Sequence, residues 1–204
     1  MTTLSFRRYL GPEIAEVIEP FARLRIAVFR DWPYLYDGDL DYERRYLADY
    51  AQGGTILIAA YAGDRLVGAS TGMPLSDHAD EFAEALESFS QDIKTIFYCA
   101  ESVLLPDHRG QGAYRRFFTE REAYARARGF THATFCGVLR PDDHPLRPAG
   151  HQPLDPVWRR YGYAPVPGAI ARFKWRDIGQ TAETAKPLQF WIKPLPRPGN
   201  ADSP

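Results

Sequence analysis

The segment from Ile96 to Phe118 constrains the fold more than any other part of the chain. Ile96 to Leu105 is a β-type apolar run that Pro106-Asp107 ends, and Arg109-Gly110-Gln111-Gly112 then turns the chain. From Ala113 to Arg128, Phe117, Phe118, Tyr124 and Ala125 recur at helical spacing, and Gly129 closes the helix. The order is strand, glycine turn, helix. Such a turn aims several unpaired backbone N–H groups at one point, and the helix N-terminus adds a partial positive charge, so the pair suits a phosphate or pyrophosphate. Neither the Gly-Lys-Ser/Thr ending of a P-loop nor the third glycine of a dinucleotide fingerprint is present.

Strand and helix signals alternate along the rest of the chain. Leu4 to Tyr9 reads as a short strand, and after Gly11-Pro12 a helical pattern runs to about Phe29. A second helix is expected from Leu40 to Ala51. Thr55 to Ala62 and Leu66 to Met73 flank Gly63-Asp64-Arg65 and predict an antiparallel hairpin. Ala79 to Ile93 places Phe82, Leu86, Phe89 and Ile93 on one face of an amphipathic helix. Thr131 to Val138 is a strand, Arg140 to Asp155 a long proline-rich loop, and Val157 to Tyr161 a short helix. Ala169 to Trp175 and Leu188 to Ile192 form a last strand pair. The sum is an α/β domain of the α+β type, with a mixed, mostly antiparallel sheet of about seven strands and helices on both faces. One domain is expected over residues 1–194, followed by a flexible proline-rich tail over 195–204.

Composition removes several function classes. Across 204 residues, 25 Lys and Arg against 26 Asp and Glu leave a net charge of −1, so no global positive field holds a nucleic-acid backbone. Cys99 and Cys136 lie in apolar runs without a CxxC partner and read as buried hydrophobes in a reducing compartment. The N-terminus lacks the cationic and apolar order of a secretory signal, and no 18-residue apolar run occurs, so a cytoplasmic protein without a membrane partner is expected.

The segment Arg109-Gly110-Gln111-Gly112-Ala113-Tyr114 resembles the signature of the GCN5-related N-acetyltransferase family, in which a central strand passes through Arg/Gln-x-x-Gly-x-Gly/Ala into a helix. The order of elements over roughly residues 4–194 is similar too. The resemblance implies the acyl-CoA N-acyltransferase fold, with acetyl-CoA as cosubstrate in a cleft between the strands at 96–105 and 131–138. Its pyrophosphate would rest on Arg109, Gly110, Gln111, Gly112, Ala113 and Tyr114, and its pantetheine arm on the backbone of Val103, Leu104 and Leu105. The implied reaction moves an acetyl group to a primary amine of a small molecule or peptide by direct attack on the thioester. The family also admits a homodimer. Two departures stand out: Tyr114 occupies a Gly/Ala position, and Trp158 stands where the family's late helix carries a tyrosine that protonates the departing sulfur. Indole cannot do so. Tyr161 is the nearest substitute.

Glu101 is the candidate general base. Alternation places it beside Phe97, Cys99, Val103 and Leu105, where desolvation favours proton uptake from an incoming ammonium. Aromatic and acidic residues mix between Asp31 and Tyr50, and Trp32, Tyr34, Tyr36 and Asp37 are the candidate acceptor contacts through cation–π and Coulomb attraction. Gly68-Ala69-Ser70-Thr71-Gly72 satisfies the G-x-S-x-G pattern of a hydrolase elbow, but it continues a strand with no helix behind it. His144 and His151 match no metal-ligand spacing, so no metal is expected. A non-catalytic coenzyme-sensing or partner-binding module on the same fold is the alternative.

Overall fold

A computed structural model describes residues 3–196. Seven strands form one sheet in the order β1-β2-β3-β4-β5-β7-β6. They are β1 (Ser5–Leu10), β2 (Ile56–Ala62), β3 (Arg65–Pro74), β4 (Ile96–Leu104), β5 (His132–Val138), β6 (Ala164–Trp175) and β7 (Thr184–Pro194). Every neighbouring pair is antiparallel except β4 and β5. Helices α1 (Ile18–Phe29), α2 (Leu40–Ala48) and α3 (Ala83–Leu86) cover one face, and α4 (Ala113–Ala127) and α5 (Asp155–Arg160) the other. Two apolar clusters result, one on each side of the sheet. Phe21, Leu24 and Leu47 meet Leu57, Ala69 and Tyr98 in the first, whereas Phe117, Phe118 and Ala125 meet Ile58, Phe97 and Phe135 in the second.

Several elements differ from expectation for local reasons. The pattern reaching Phe29 begins as a 3-10 turn from Gly11 to Val17, and α1 starts only at Ile18. Pro20 explains the break: it has no N–H to donate to Glu16, so it is tolerated only in a first turn. The expected helix from Ala79 to Ile93 shrinks to the four residues of α3, with turns on either side. Asp77, Asp80, Glu81, Glu84 and Glu87 repel one another along it, while Phe82 and Ala85 still bury. β6 starts at Ala164 and carries Pro165 and Pro167 across an irregularity between Pro165 and Ile170. As the sheet's outermost strand, it can hold prolines without loss of a ladder bond. Leu195 belongs to the body, buried with its N–H donating to the Thr131 carbonyl at 2.7 Å. The rest of the expected tail, from 197 onward, lies outside the described residues.

The most consequential irregularity is in β4. Met73 pairs with Tyr98 and Thr71 with Glu101, so one residue of β3, Gly72, faces two of β4, Cys99 and Ala100. This bulge bends β4 away from β5, and the parallel ladder ends after Ile96–His132, Phe97–Ala133 and Tyr98–Thr134. The bulge also reverses the expected alternation. Phe97 and Cys99 pack on the α4 side, but Val103 packs on the α1 side, and Glu101 faces Arg25 of α1. The grouping of Glu101 with Phe97 and Cys99 is therefore corrected: one extra residue moves everything beyond it to the other face.

Gly72 is the partner the bulge requires. A Cβ there would press on the Phe97 ring, 2.7 Å from Cζ, and lie 3.3 Å from the Tyr98 carbonyl oxygen. Gly72→Ala is expected to destabilise the fold by about 1–3 kcal/mol through overpacking. Thermal unfolding should register this as a fall in melting temperature of roughly 2–4 °C per kcal/mol.

Candidate active site

Beyond Tyr98 the splayed strands open a cleft that leads to the start of α4. Gly112 caps α4 with a left-handed backbone at φ 81°, and Gly110 has φ 77°. No backbone N–H from Gly110 to Arg115 finds a partner among the described residues, and the first helical bond runs from Arg116 N–H to the Gly112 carbonyl at 3.1 Å. A Cβ added at Gly110 or Gly112 would meet nothing within 4 Å. Of the expected cradle over residues 109–114, Arg109 spends its N–H on the Pro106 carbonyl at 3.1 Å, while the amides from Gly110 onward stay open and unpaired among the described residues, an arrangement that suits an anion such as a diphosphate.

Tyr114 turns away from that cradle. Its hydroxyl accepts from Trp158 Nε1 at 2.9 Å and its ring packs edge-on against Phe118 at 5.1 Å. Trp158 in turn lies over Gly137 of β5, where a Cβ would be 2.7 Å from the indole Cη2. The two residues that depart from the family pattern therefore face each other and form one wall of the cleft. Of the three expected pantetheine contacts, Leu105 spends its N–H on the Val67 carbonyl at 2.9 Å. Val103 shares its direction along the strand, which leaves the backbone of Leu104, and of Ser102 before it, turned toward the open gap.

Two cavities of about 320 Å³ each meet at the bulge. The first runs between β4 and β5, past Tyr114, Phe118, Arg121 and Trp158. The second lies on the α1–α2 side, with Tyr36, Tyr42, Tyr46, Phe173 and Trp175 among its walls and Asp37, Asp39, Glu43 and Glu183 among its acids. Phe29, Tyr34, Ala100, Glu101 and Cys136 belong to both. Of the expected acceptor contacts, Trp32 lines the first, Tyr36 and Asp37 the second, and Tyr34 their junction. Arg140 fixes this loop. It donates to the Pro33 carbonyl at 2.8 Å, to the Tyr34 carbonyl at 2.6 Å and to both Asp177 carboxylate oxygens. Burial raises the Asp177 pKa, but Arg140 and then Lys186 outweigh it and hold the group below its ordinary value.

Glu101 is 9% exposed and forms an ion pair with Arg25, while its other oxygen accepts from Thr71 Oγ1 at 2.5 Å. Arg25 also donates to Glu43 at 2.5 Å. Two buried carboxylates thus share one guanidinium on the α1–α2 side of the bulge. Burial works against the Arg25 charge, but Glu43 and the Tyr50 and Tyr46 rings hold its pKa above the ordinary value. Arg25 and Glu43 were not anticipated. The available signal was an arginine on the buried helix stripe Phe21-Arg25-Phe29.

The other sequence candidates are placed differently, and of Tyr161, Ser70, His144 and His151 only His151 lines the first cavity. Tyr161 lines neither cavity, because its ring stacks on Phe118 with centroids 4.6 Å apart. Ser70 is fully buried within β3 and donates to the Glu101 carbonyl at 3.0 Å, which removes the hydrolase reading. His144 and His151 pack near the Trp32 ring at 5.2 and 5.8 Å. Among the described residues no group of three His, Cys, Asp or Glu side chains could hold a metal, and no helix is long and apolar enough to cross a membrane. Cys99 and Cys136 are buried and free. Burial pushes the Cys136 thiol up to about 12 despite the Tyr98 hydroxyl, so the thiol at the junction stays protonated and a poor nucleophile.

The seven-stranded mixed sheet with helices on both faces is the acyl-CoA N-acyltransferase fold, and solved structures of acetyltransferases share it. The chain is similar to the ribosomal-protein-alanine N-acetyltransferase of Brucella melitensis at 14% identity and TM-score 0.59, covering 94% of this chain and 99% of that one. It is similar to yncA of Salmonella typhimurium, whose structure contains its cofactor acetyl-CoA, at 12% identity and TM-score 0.55, covering 99% of each chain. The paia N-acetyltransferase of Thermoplasma acidophilum, in complex with coenzyme A, matches at 9% identity and TM-score 0.52, over 94% of this chain and 99% of that one. No protein-family model and no curated protein matches the sequence.

Proposed function

We propose that this protein is an acetyl-CoA-dependent N-acetyltransferase acting on a primary amine. The observation that carries this reading is the meeting of two cavities at the β4 bulge, one reaching Tyr114 at the start of α4, where the amides of residues 110–115 are bare, and the other walled by tyrosines and acids. Acetyl-CoA supplies a thioester whose acyl carbon accepts the amine. The amides at 110–115 bind its diphosphate, and the strand backbone at Ser102 and Leu104 orients its arm. Likeness to structures that contain acetyl-CoA or coenzyme A supports the choice of donor.

On the acceptor side, the aromatic walls desolvate the amine's carbon frame and the acids attract its charge. Glu101, at the junction, accepts a proton from the incoming ammonium directly or through water. The nitrogen then forms its bond to carbon while the carbon–sulfur pair stays on sulfur. No acyl-cysteine step is needed, since Cys136 is held protonated. Tyr161, stacked on Phe118, is left out of this scheme.

Thiol release from acetyl-CoA against a panel of small amines and peptides tests the reaction. Glu101→Gln is expected to lower the rate by about 10²–10⁴-fold and to remove the ascending limb of its pH profile. An unchanged profile would discard Glu101 as the base, and saturable coenzyme binding without turnover on any amine would favour the sensing module.

A further inference from the structure

Arg121 is a buried cation without an acid. It sits on the inner face of α4, is 2% exposed, and lines the first cavity beside the bulge. Its Nη1 donates to the Glu101 carbonyl at 3.0 Å and the Thr71 carbonyl at 3.3 Å, and its guanidinium lies 5.2 Å from the Phe118 ring centroid. Its Nε is buried and has no partner among the described residues. Among the described residues it forms no ion pair; Glu122, the next residue on α4, is bound instead by Lys193 at 2.8 Å. An unpaired buried guanidinium costs several kcal/mol by ordinary accounting, and the two carbonyls it caps do not account for a full charge.

Position supplies the account. Arg25, Glu43 and Glu101 leave one net negative charge on the acceptor side of the bulge, and Arg121 places one positive charge on the cleft side. The field across the bulge therefore runs in the direction in which amine attack separates charge, positive toward nitrogen and negative toward the leaving group. Of the phenols on the wall of the cleft, Tyr114 accepts from Trp158 and Tyr34 lies at the junction of the two cavities, whereas Tyr161 is stacked away; Arg121 is the cation that α4 adds to that wall.

We infer that Arg121 is the positioning charge of this site, holding the sulfur end of coenzyme A as a thiolate as it departs. The inference rests on the proposed use of acetyl-CoA. Around Arg121 the titratable groups are Cys99 and Glu101 on β4, Tyr114 and Glu122 on α4, Cys136 on β5 and Tyr163 at the foot of β6. Burial raises the pKa of both cysteines and both tyrosines, so none of the four competes with the ligand thiol near neutral pH.

The test needs no acceptor. Binding of coenzyme A and of desulfo-coenzyme A is measured by calorimetry from pH 6.5 to 9.5, and their affinity ratio cancels every protein group that both ligands feel. If the bound thiol titrates about one unit below its free value, the ratio rises with pH and approaches a gain of about ten-fold as the pH passes that free value. Arg121→Met should flatten the ratio without weakening desulfo-coenzyme A, and Arg121→Lys should restore part of the rise. A flat ratio in the wild-type protein overturns the inference even if neither variant folds, as does an unchanged rise in a folded Arg121→Met. Failure of both ligands to bind would instead reject the coenzyme reading itself.

Discussion

Gly112→Asp is expected to raise the Kd for acetyl-CoA by at least about 100-fold, roughly 2.7 kcal/mol, while the protein stays folded. Gly112 is the N-cap of α4 at φ 81°, a backbone region that aspartate visits at modest cost. The position is open, with nothing within 4 Å of an added Cβ, so the side chain displaces no packing. A carboxylate beside a helix N-terminus is itself favourable by about 0.3–1 kcal/mol, which offsets part of the backbone strain. The same carboxylate occupies the field of the amides at 110–115 and repels a diphosphate there. Calorimetry with acetyl-CoA measures the loss, and thermal unfolding checks that the melting temperature moves by only a few degrees. Gly112→Ala separates shape from charge: it adds the strain without the repulsion, and its effect on affinity should be far smaller. Unchanged affinity in Gly112→Asp would remove the amide cradle from the account of binding.

How much of this was legible in the sequence follows from how local each cause is. The turn from Arg109 to Ala113 was readable because glycine conformations and a helix start are encoded in neighbouring residues, and the β-α order fixed the fold class for the same reason. The bulge was not. It is one residue too many in β4, it alters no composition, and its only local trace is Gly72 on the partner strand. Alternation then pointed Glu101 toward Cys99, and only tertiary structure reveals that it meets Arg25. Both buried arginines did leave a mark, since Phe21-Arg25-Phe29 and Phe117-Arg121-Ala125 each interrupt an apolar stripe at i, i+4 spacing with a charge. Read as solvated positions, such arginines disappear among the surface charges. Read as violations of the buried face, they mark both sides of the junction between the two cavities. The contacts of Arg140 were beyond reach, because they join three loops far apart in sequence.

Removing Arg25 should have the largest effect on stability. Arg25→Met keeps the volume of the side chain's stem but leaves Glu43 and Glu101 buried, at 1% and 9% exposure, with no cation between them. Breaking a buried ion pair from one side costs about 3–5 kcal/mol because the stranded charge cannot be rehydrated. For a domain of this size, each kcal/mol lowers the melting temperature by roughly 2–4 °C, so a fall of about 6–20 °C is expected. The sign of its pH dependence follows from linkage. In the variant, two like charges face each other in a low-dielectric site, so folding takes up a proton that the unfolded chain lacks near neutral pH. The deficit should therefore shrink as the pH falls from 7 toward 5 and the folded variant binds that proton. Arg25→Met with Glu43→Gln removes one of the two stranded charges and should recover part of the loss at pH 7. If Arg25→Met instead melts within about 2 °C of the wild type and shows no gain at pH 5, the carboxylates reach water or another cation. The negative charge on the α1–α2 side of the bulge would then be screened or paired, and the proposed attraction of Glu101 for an incoming ammonium would lose its basis.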